Sequence, residues 1–311
     1  MIARRHHYVP ESCLKGFVDD ASRPQLQVFD LKTRSRFAAS PDNVAVERDF
    51  NRVDIPGRPI DELEDMLGRI EGDVISAIRR IQTVGTIDNV SDLHLVLNLV
   101  GLIFARNPRF RRSVSDSFDK VARGIARLST ETPERYAQMM GRQREGGPDS
   151  VSYEDMKAFL KDDSFKMGLA QNCQIGLELS VVSDVIEMLG RRKWSLLRSP
   201  ASTGGFIACD HPACLNWIKP RAGFFGPGLG LPGTSVVFPL SRELCLMGEF
   251  ETDGRVLEID FQSVAHVNGA IIANAERQVY AADDRFIFFR PGETLPTFGY
   301  DLLPVTSAAK G

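Results

Sequence analysis

His6 and His7 stand side by side near the start of this 311-residue sequence, in the run His6-His7-Tyr8-Val9-Pro10. Imidazole is the side chain whose ordinary pKa puts its protonation change near neutral pH. In an extended segment neighbouring side chains point to opposite faces, so the pair does not readily serve one centre, and one imidazole is expected to face inward. Pro10 biases Val9 to extended geometry and fixes the direction in which the segment enters the fold. The pair either hydrogen-bonds carboxylates or carbonyls as a structural element, or supplies one base, acid or ligand.

Three carboxylates could complete such a centre. Glu64 and Glu71 lie seven residues apart, two helical turns, on one edge of an otherwise apolar stripe, with Gly68 leaving a gap between them. Asp210 ends the short apolar strand of FIACDHPA, where it either does chemistry or caps its own turn. Glu64, Glu71 and Asp210 with one leading histidine would make an oxygen-rich site suited to Mg or Mn. Arg106 offers a planar fork to a phosphate or carboxylate, or else forms a buried bridge to Glu71 or Glu64. His94, Asn98, Gly101 and Ala105 draw a small and polar stripe along a helix that is apolar elsewhere, so His94 and Asn98 are candidate substrate contacts. Catalysis would then fall to His6 or His7 with Glu71 and Asp210.

Other chemistries lack their residues. Cys209, His211 and Cys214 cluster as CDHPAC, but no second ligand pair completes a structural zinc site. The glycine-rich loop 219–235 has no Lys-Ser or Lys-Thr followed by a helix, so it reads as a hairpin or lid with exposed Phe224 and Phe225. No G-x-S-x-G turn is present.

These groups must be positioned by an α+β fold, with a helical middle region flanked by N-terminal strands and a C-terminal, mostly antiparallel sheet. A single composite domain is expected: a strand-rich segment 1–60, helices over 61–192 and a sheet-rich region 193–311. Alternation over 26–37 around Lys32-Thr33-Arg34-Ser35 predicts a hairpin. Three-four spacing predicts a helix over 61–82 capped by Asp61, and a central helix after Ser91. Asn107-Pro108 opens a further helix to about 128, where Arg106, Arg109, Arg111 and Arg112 crowd into a basic patch or a solvated face. A loop is expected at 141–150, helices at 153–161 and 165–189, and short strands at 193–198, 205–209, 234–239 and 244–250. A helix at 263–280 and a strand at 285–289 close the chain. No internal repeat or heptad run stands out.

Composition narrows the class. With 43% apolar and 25% charged residues the chain reads as globular, and a net charge of −3 gives no general attraction to nucleic acid or anionic lipid. No apolar run is long enough to span a membrane and the first residues lack the core of a signal peptide. Five scattered cysteines fit a reducing compartment, so the cytoplasm is expected.

The blocks HHYVPESCLKGF, NVAVERDF, WSLLRSP, FIACDHPA, FPLSREL and VNGAIIANAERQVYA, with the Glu-bearing helix and Arg106-Asn107-Pro108, resemble a bacterial family of unknown function with an HHYVP motif, the domain of unknown function 4238. The resemblance covers nearly the whole chain and implies a shared fold without supplying a reaction. His211 stands where that family often has asparagine, and Cys13 and Asn51 replace positions commonly aromatic, which implies altered packing. The leading functional expectation is a hydrolase acting on a phosphodiester or nucleotide, using a metal ion or a His-carboxylate pair to activate water. Its partner would be a small molecule or a nucleic acid. The alternative is a non-catalytic interaction or sensor protein, in a stress or phage-defence setting, whose polar residues form only a core network.

Overall fold

The computed structural model describes residues 4–140, 151–162, 164–219 and 225–303. Two compact units emerge, one of residues 1–107 and 177–311, the other of residues 108–176.

The first unit begins with β1 (Arg5–His7), α1 (Glu11–Leu14), β2 (Leu26–Asp30), β3 (Ser35–Ala39) and β4 (Val46–Arg48). Two long helices follow, α2 (Glu62–Val84) and α3 (Val90–Ala105). The second unit carries α4 (Pro108–Ser129), α5 (Pro133–Met140) and α6 (Tyr153–Lys161). From Leu177 onward, α7 (Gln171–Gly190) belongs to the first unit again. The remaining elements are β5 (Lys193–Arg198), β6 (Ala208–Cys209), β7 (Cys214–Trp217), β8 (Thr234–Pro239), β9 (Leu244–Glu249), β10 (Val256–Glu258), α8 (Phe261–Asn274), β11 (Gln278–Ala281), β12 (Ile287–Phe288) and β13 (Thr297–Phe298). This is the α+β class, with strands at both ends and helices between.

Two sheets organise the first unit. One has the order β10-β5-β9-β8-β7 and is antiparallel except for the β10-β5 pair. The other, β3-β2-β11-β6, is antiparallel throughout and draws strands from both ends of the chain. Its hairpin forms as the alternation predicts: Asp30 accepts the Thr33 amide at 2.9 Å, and Arg34 takes the left-handed backbone that closes the turn. Asp30 also receives Arg277 Nε at 2.7 Å, which fastens the N-terminal hairpin to β11.

Helix α2 buries Leu63, Leu67, Val74, Ile78 and Ile81 and stops at Gly85, whose amide donates to the Ile81 carbonyl. Asp61, expected to cap it, makes no capping hydrogen bond with its side chain. Helix α3 starts two residues earlier than expected because Asn89 is the cap and accepts the amides of Ser91 and Asp92. Both oxygens of Asp92 accept from the Arg80 guanidinium, pinning α3 against α2. Val96, Leu97, Val100 and Ile103 pack with Val74, Ile78 and Ile81 against Leu196, Val236 and Leu246 of the five-stranded sheet. A second core lies around Val264 and Ile271 of α8, and a third gathers Val9, Leu14 and Phe17 against Val28 and Tyr280.

Two expected helices differ in extent. The predicted helix 263–280 ends at Asn274, and 278–281 instead forms β11. The carboxylate of Asp210 takes the amides of Glu276, Arg277 and Gln278, so those groups cannot serve a helix, while Val279 and Tyr280 are buried between β2 and β6. The predicted helix 165–189 starts only at Gln171; ahead of it the Met167 amide donates to Asp119 Oδ1 at 2.7 Å. The strand predicted at 205–209 is confined to Ala208–Cys209 and that at 285–289 to Ile287–Phe288. The loop expected at 141–150 lies outside the described residues. Among the described residues no helix is long and apolar enough to cross a membrane.

Candidate active site

Strand β1 turns its two imidazoles apart. His6 is 2% exposed and its Nδ1 accepts the Asn51 amide at 2.8 Å, which places the proton of the neutral ring on Nε2. His7 points the other way and is half-buried. Together with Tyr8 and Pro10 it lines a recess completed by Leu67 and Glu71 of α2 and by Leu99, Leu102, Ile103 and Arg106 at the end of α3. The recess has room for about one water molecule.

Antiparallel pairing with β4 fixes this segment, His6 lying opposite Glu47 and His7 opposite Val46. The Tyr8 amide extends the ladder to the Ala45 carbonyl at 3.1 Å. Val9, 1% exposed, anchors its end. Residues 5–9 are thereby tied into the first unit.

Burial dominates the electrostatics. It lowers the pKa of His7 against the opposing pull of Glu11 and Glu64, so the neutral imidazole is favoured. Among the described residues no group hydrogen-bonds the buried His7 Nδ1. For Glu71, burial and then the nearby Glu64 charge push the pKa up to about 7, with Arg106 pulling the other way. The Cys13 thiol is raised to about 12 by burial and by the charge of Glu71, so it is a packing group and not a nucleophile.

Asn51 holds the wall of the recess. Its Oδ1 accepts from Arg106 Nη2 at 2.5 Å, its Nδ2 donates to Glu64 Oε2 at 2.5 Å, and its amide donates to His6. The guanidinium, the first carboxylate and the structural histidine are therefore linked through one side chain. Glu64 is engaged away from the recess lining, whereas Glu71 belongs to it. The family resemblance implies only altered packing at Asn51. The usable signal was a polar residue in place of an aromatic one directly after Phe50.

The other candidates lie elsewhere. Asp210 does not line the recess; its Oδ1 accepts the Glu276 amide and its Oδ2 the amides of Arg277 and Gln278 at 2.7 to 3.0 Å. Burial raises its pKa while those amides resist the shift. Its place at the end of a strand serves the sheet by holding a distant segment, not by capping its own turn as the sequence alternative had it. His94 is exposed and Asn98 half-buried, and neither lines the recess. The small end of their stripe has a packing reason: a Cβ on Gly101 would lie 2.5 Å from Ile186 Cγ1. Among the described residues nothing lies within 4 Å of a Cβ placed on Gly68, so no backbone packs against it.

Among the described residues no group of three or more His, Cys, Asp or Glu side chains is arranged to hold a metal ion. A magnesium or manganese site shared by Glu64, Glu71 and Asp210 thus gains no support from their placement, and the donor set at the recess is one carboxylate and one imidazole. Cys209 and Cys214 are buried and not disulfide-bonded. In the loop 219–235, Arg192 ties the base by donating to the carbonyls of Leu229 and Thr234, and Phe225 is 90% exposed. Phe224 lies outside the described residues.

Fold and recess define an α+β protein in which a strand-borne imidazole meets a carboxyl and a guanidinium on two packed helices. A family model described as "Protein of unknown function (DUF4238)" matches residues 5–285, and the chain belongs to that family. No curated protein and no solved structure matches it.

Proposed function

We propose that the chain is a hydrolase of phosphodiester or nucleotide type, and that His7, Glu71 and Arg106 form its reactive centre. The observation that carries the reading is the opposed pKa displacement of two groups on one water-sized recess: His7 below its usual value, Glu71 up to about 7. Between those values the imidazole is neutral and the carboxyl protonated, a pairing in which His7 takes a proton from water and Glu71 gives one to the leaving oxygen. Arg106, buried at the end of α3, supplies positive charge for an anionic ester. Neither Asp210 nor Glu64 has a step in this scheme. A divalent ion, if used, would have to be completed by substrate oxygens. Free thiols throughout support a reducing location such as the cytoplasm.

The test is turnover of bis(p-nitrophenyl) phosphate and a set of cyclic and linear nucleotides, with and without magnesium or manganese. Wild type should turn over at least one of them, and His7→Asn and Glu71→Gln should each lose about 10²–10⁴-fold while remaining folded. Variants as active as wild type, or no turnover by wild type of any member, would end the proposal.

One observation favours the alternative of an interaction or sensor protein: His6, Asn51, Glu64 and Arg106 are joined in a polar network made by the protein's own groups. That reading gains if nucleotides and metals leave the melting temperature unchanged and deletion of 219–235 abolishes capture of a partner.

A further inference from the structure

The first histidine of the pair delivers Asn51 to the recess. Beyond β4 the chain turns at Asp49, which takes the left-handed backbone and whose carbonyl accepts the Arg52 amide at 3.0 Å. His6 Nδ1 accepts the Asn51 amide at 2.8 Å, and the residue is 1% exposed, so the place from which its side chain starts is fixed. His6, Asn51, Glu64, Glu71 and Arg106 all belong to the first unit.

A carboxamide has two unlike ends, and the partners here decide which end each one meets. A guanidinium only donates, so Arg106 Nη2 has to meet Oδ1, at 2.5 Å. That leaves Nδ2 for Glu64, whose Oε2 meets it as an acceptor at 2.5 Å. Glu71 lies two helical turns further along α2, in the wall of the recess. The groups that face it are His7 from β1, Glu11 and Cys13 from α1, Glu64 from its own helix and Arg106 from the end of α3. Two of these are in the grip of Asn51, and they act on Glu71 with opposite sign: the Glu64 charge favours a protonated Glu71, and the Arg106 charge favours an ionised one. Neighbouring carboxyls of which one is anchored as an acceptor leave the proton to the other.

We infer that Asn51 is a positioning residue that sorts the two carboxyls of α2: it anchors Glu64 as the charged one and leaves Glu71 to bear the proton that, in the proposed reaction on which this role rests, goes to the leaving oxygen. Its other end keeps Arg106 beside the recess. Both histidines of the pair then serve one centre, His7 directly and His6 through Asn51.

Titration of the Glu71 carboxyl by carbon-13 NMR, assigned with Glu71→Gln, tests this without any substrate. In the wild type the midpoint should fall at about 7. Asn51→Ala releases Glu64 to solvent or to Arg106, and releases Arg106 towards Glu71; each of these relaxations should lower the midpoint, by about one unit or more. Asn51→Asp still accepts from Arg106 but sets a further negative charge beside Glu64, so the midpoint should rise. A side chain that only filled space would not shift the two variants in opposite directions. Glu64→Gln, which still offers an oxygen to the Asn51 amide, should fold even if the Asn51 variants do not; its Glu71 midpoint should fall and its Asn51 side-chain amide signal, followed by nitrogen-15 NMR, should move. A Glu71 midpoint unchanged in Asn51→Ala, shifts of one sign in both Asn51 variants, or an unchanged midpoint or Asn51 signal in Glu64→Gln would overturn the inference. Opposite shifts in a protein that turns over no substrate would end the hydrolase reading and leave the sorting in place; turnover with an unmoved midpoint would do the reverse.

Discussion

At Glu71 stability and the proposed proton-donor role pull in opposite directions. A carboxyl with an ordinary pKa of 4.5 is raised to about 7 by burial and by Glu64, so the folded state holds a proton that the unfolded chain releases. Its contribution is fully present below the unfolded value and is lost as pH rises through about 7, a change of up to about 3 kcal/mol. Glu71→Gln should therefore raise the melting temperature relative to wild type above pH 7 and flatten its fall between about pH 5 and 8, while turnover disappears. A melting profile that keeps its slope in the variant would assign that dependence to another group. Because His7 is displaced downward, the pH–rate profile of any turnover should be a narrow bell, rising below 6.5 and falling near 7. Asn51→Ala should cost about 2–4 kcal/mol in urea denaturation by stranding Arg106 and Glu64, whereas loss of the Asn51 amide bond to His6 is not expected, since that donor is backbone.

Among the elements, Asp210 is the clearest case of a residue whose type was readable and whose role was not. A carboxylate before a proline turn looks the same in sequence whether it meets a ligand or three amides from a segment 66 to 68 positions away. Asp210→Ala should lower stability by about 2–4 kcal/mol, with β11 as the first region to lose hydrogen-exchange protection. An unchanged denaturation midpoint would remove the clamp from the account. The same clamp explains why periodicity overran α8: Val279 and Tyr280 fit the apolar pattern of a helix, but distant strands on both sides claim their backbone groups. On α3 the stripe of small residues was visible and its meaning was not, since a glycine reads alike beside a ligand and beside Ile186. Gly101→Val should destabilise by about 1–3 kcal/mol and leave the chemistry of the recess intact.

For the molecule as a whole, the front of the chain is structural in a way its position conceals. The β1-β4 ladder, the buried Val9 and the Asn51–His6 bond tie residues 5–9 to the first unit, and Asp30 ties the hairpin to β11. Deleting residues through Pro10 should lower the melting temperature markedly, and adding the segment back as a peptide should not restore it fully, since tethering supplies the effective concentration. A truncated chain melting like wild type would contradict this.

Local pattern alone determined the class of fold, the hairpin at 26–37, the two long central helices and most C-terminal strands, because periodicity, turn residues and helix breakers act over a few positions and are written there. It also put the His6-His7 pair, Glu71 and Arg106 among its candidates, alongside Glu64, Asp210, His94 and Asn98, since imidazole, a carboxylate inside an apolar stripe and a guanidinium at a helix end are unusual wherever they fall. Only the tertiary structure decided which of the two histidines faces the recess, gave Asp210 to the sheet, and made Asn51 the link between Arg106 and Glu64. Those outcomes depend on hydrogen bonds between segments tens of residues apart, and chain order does not say which donors arrive.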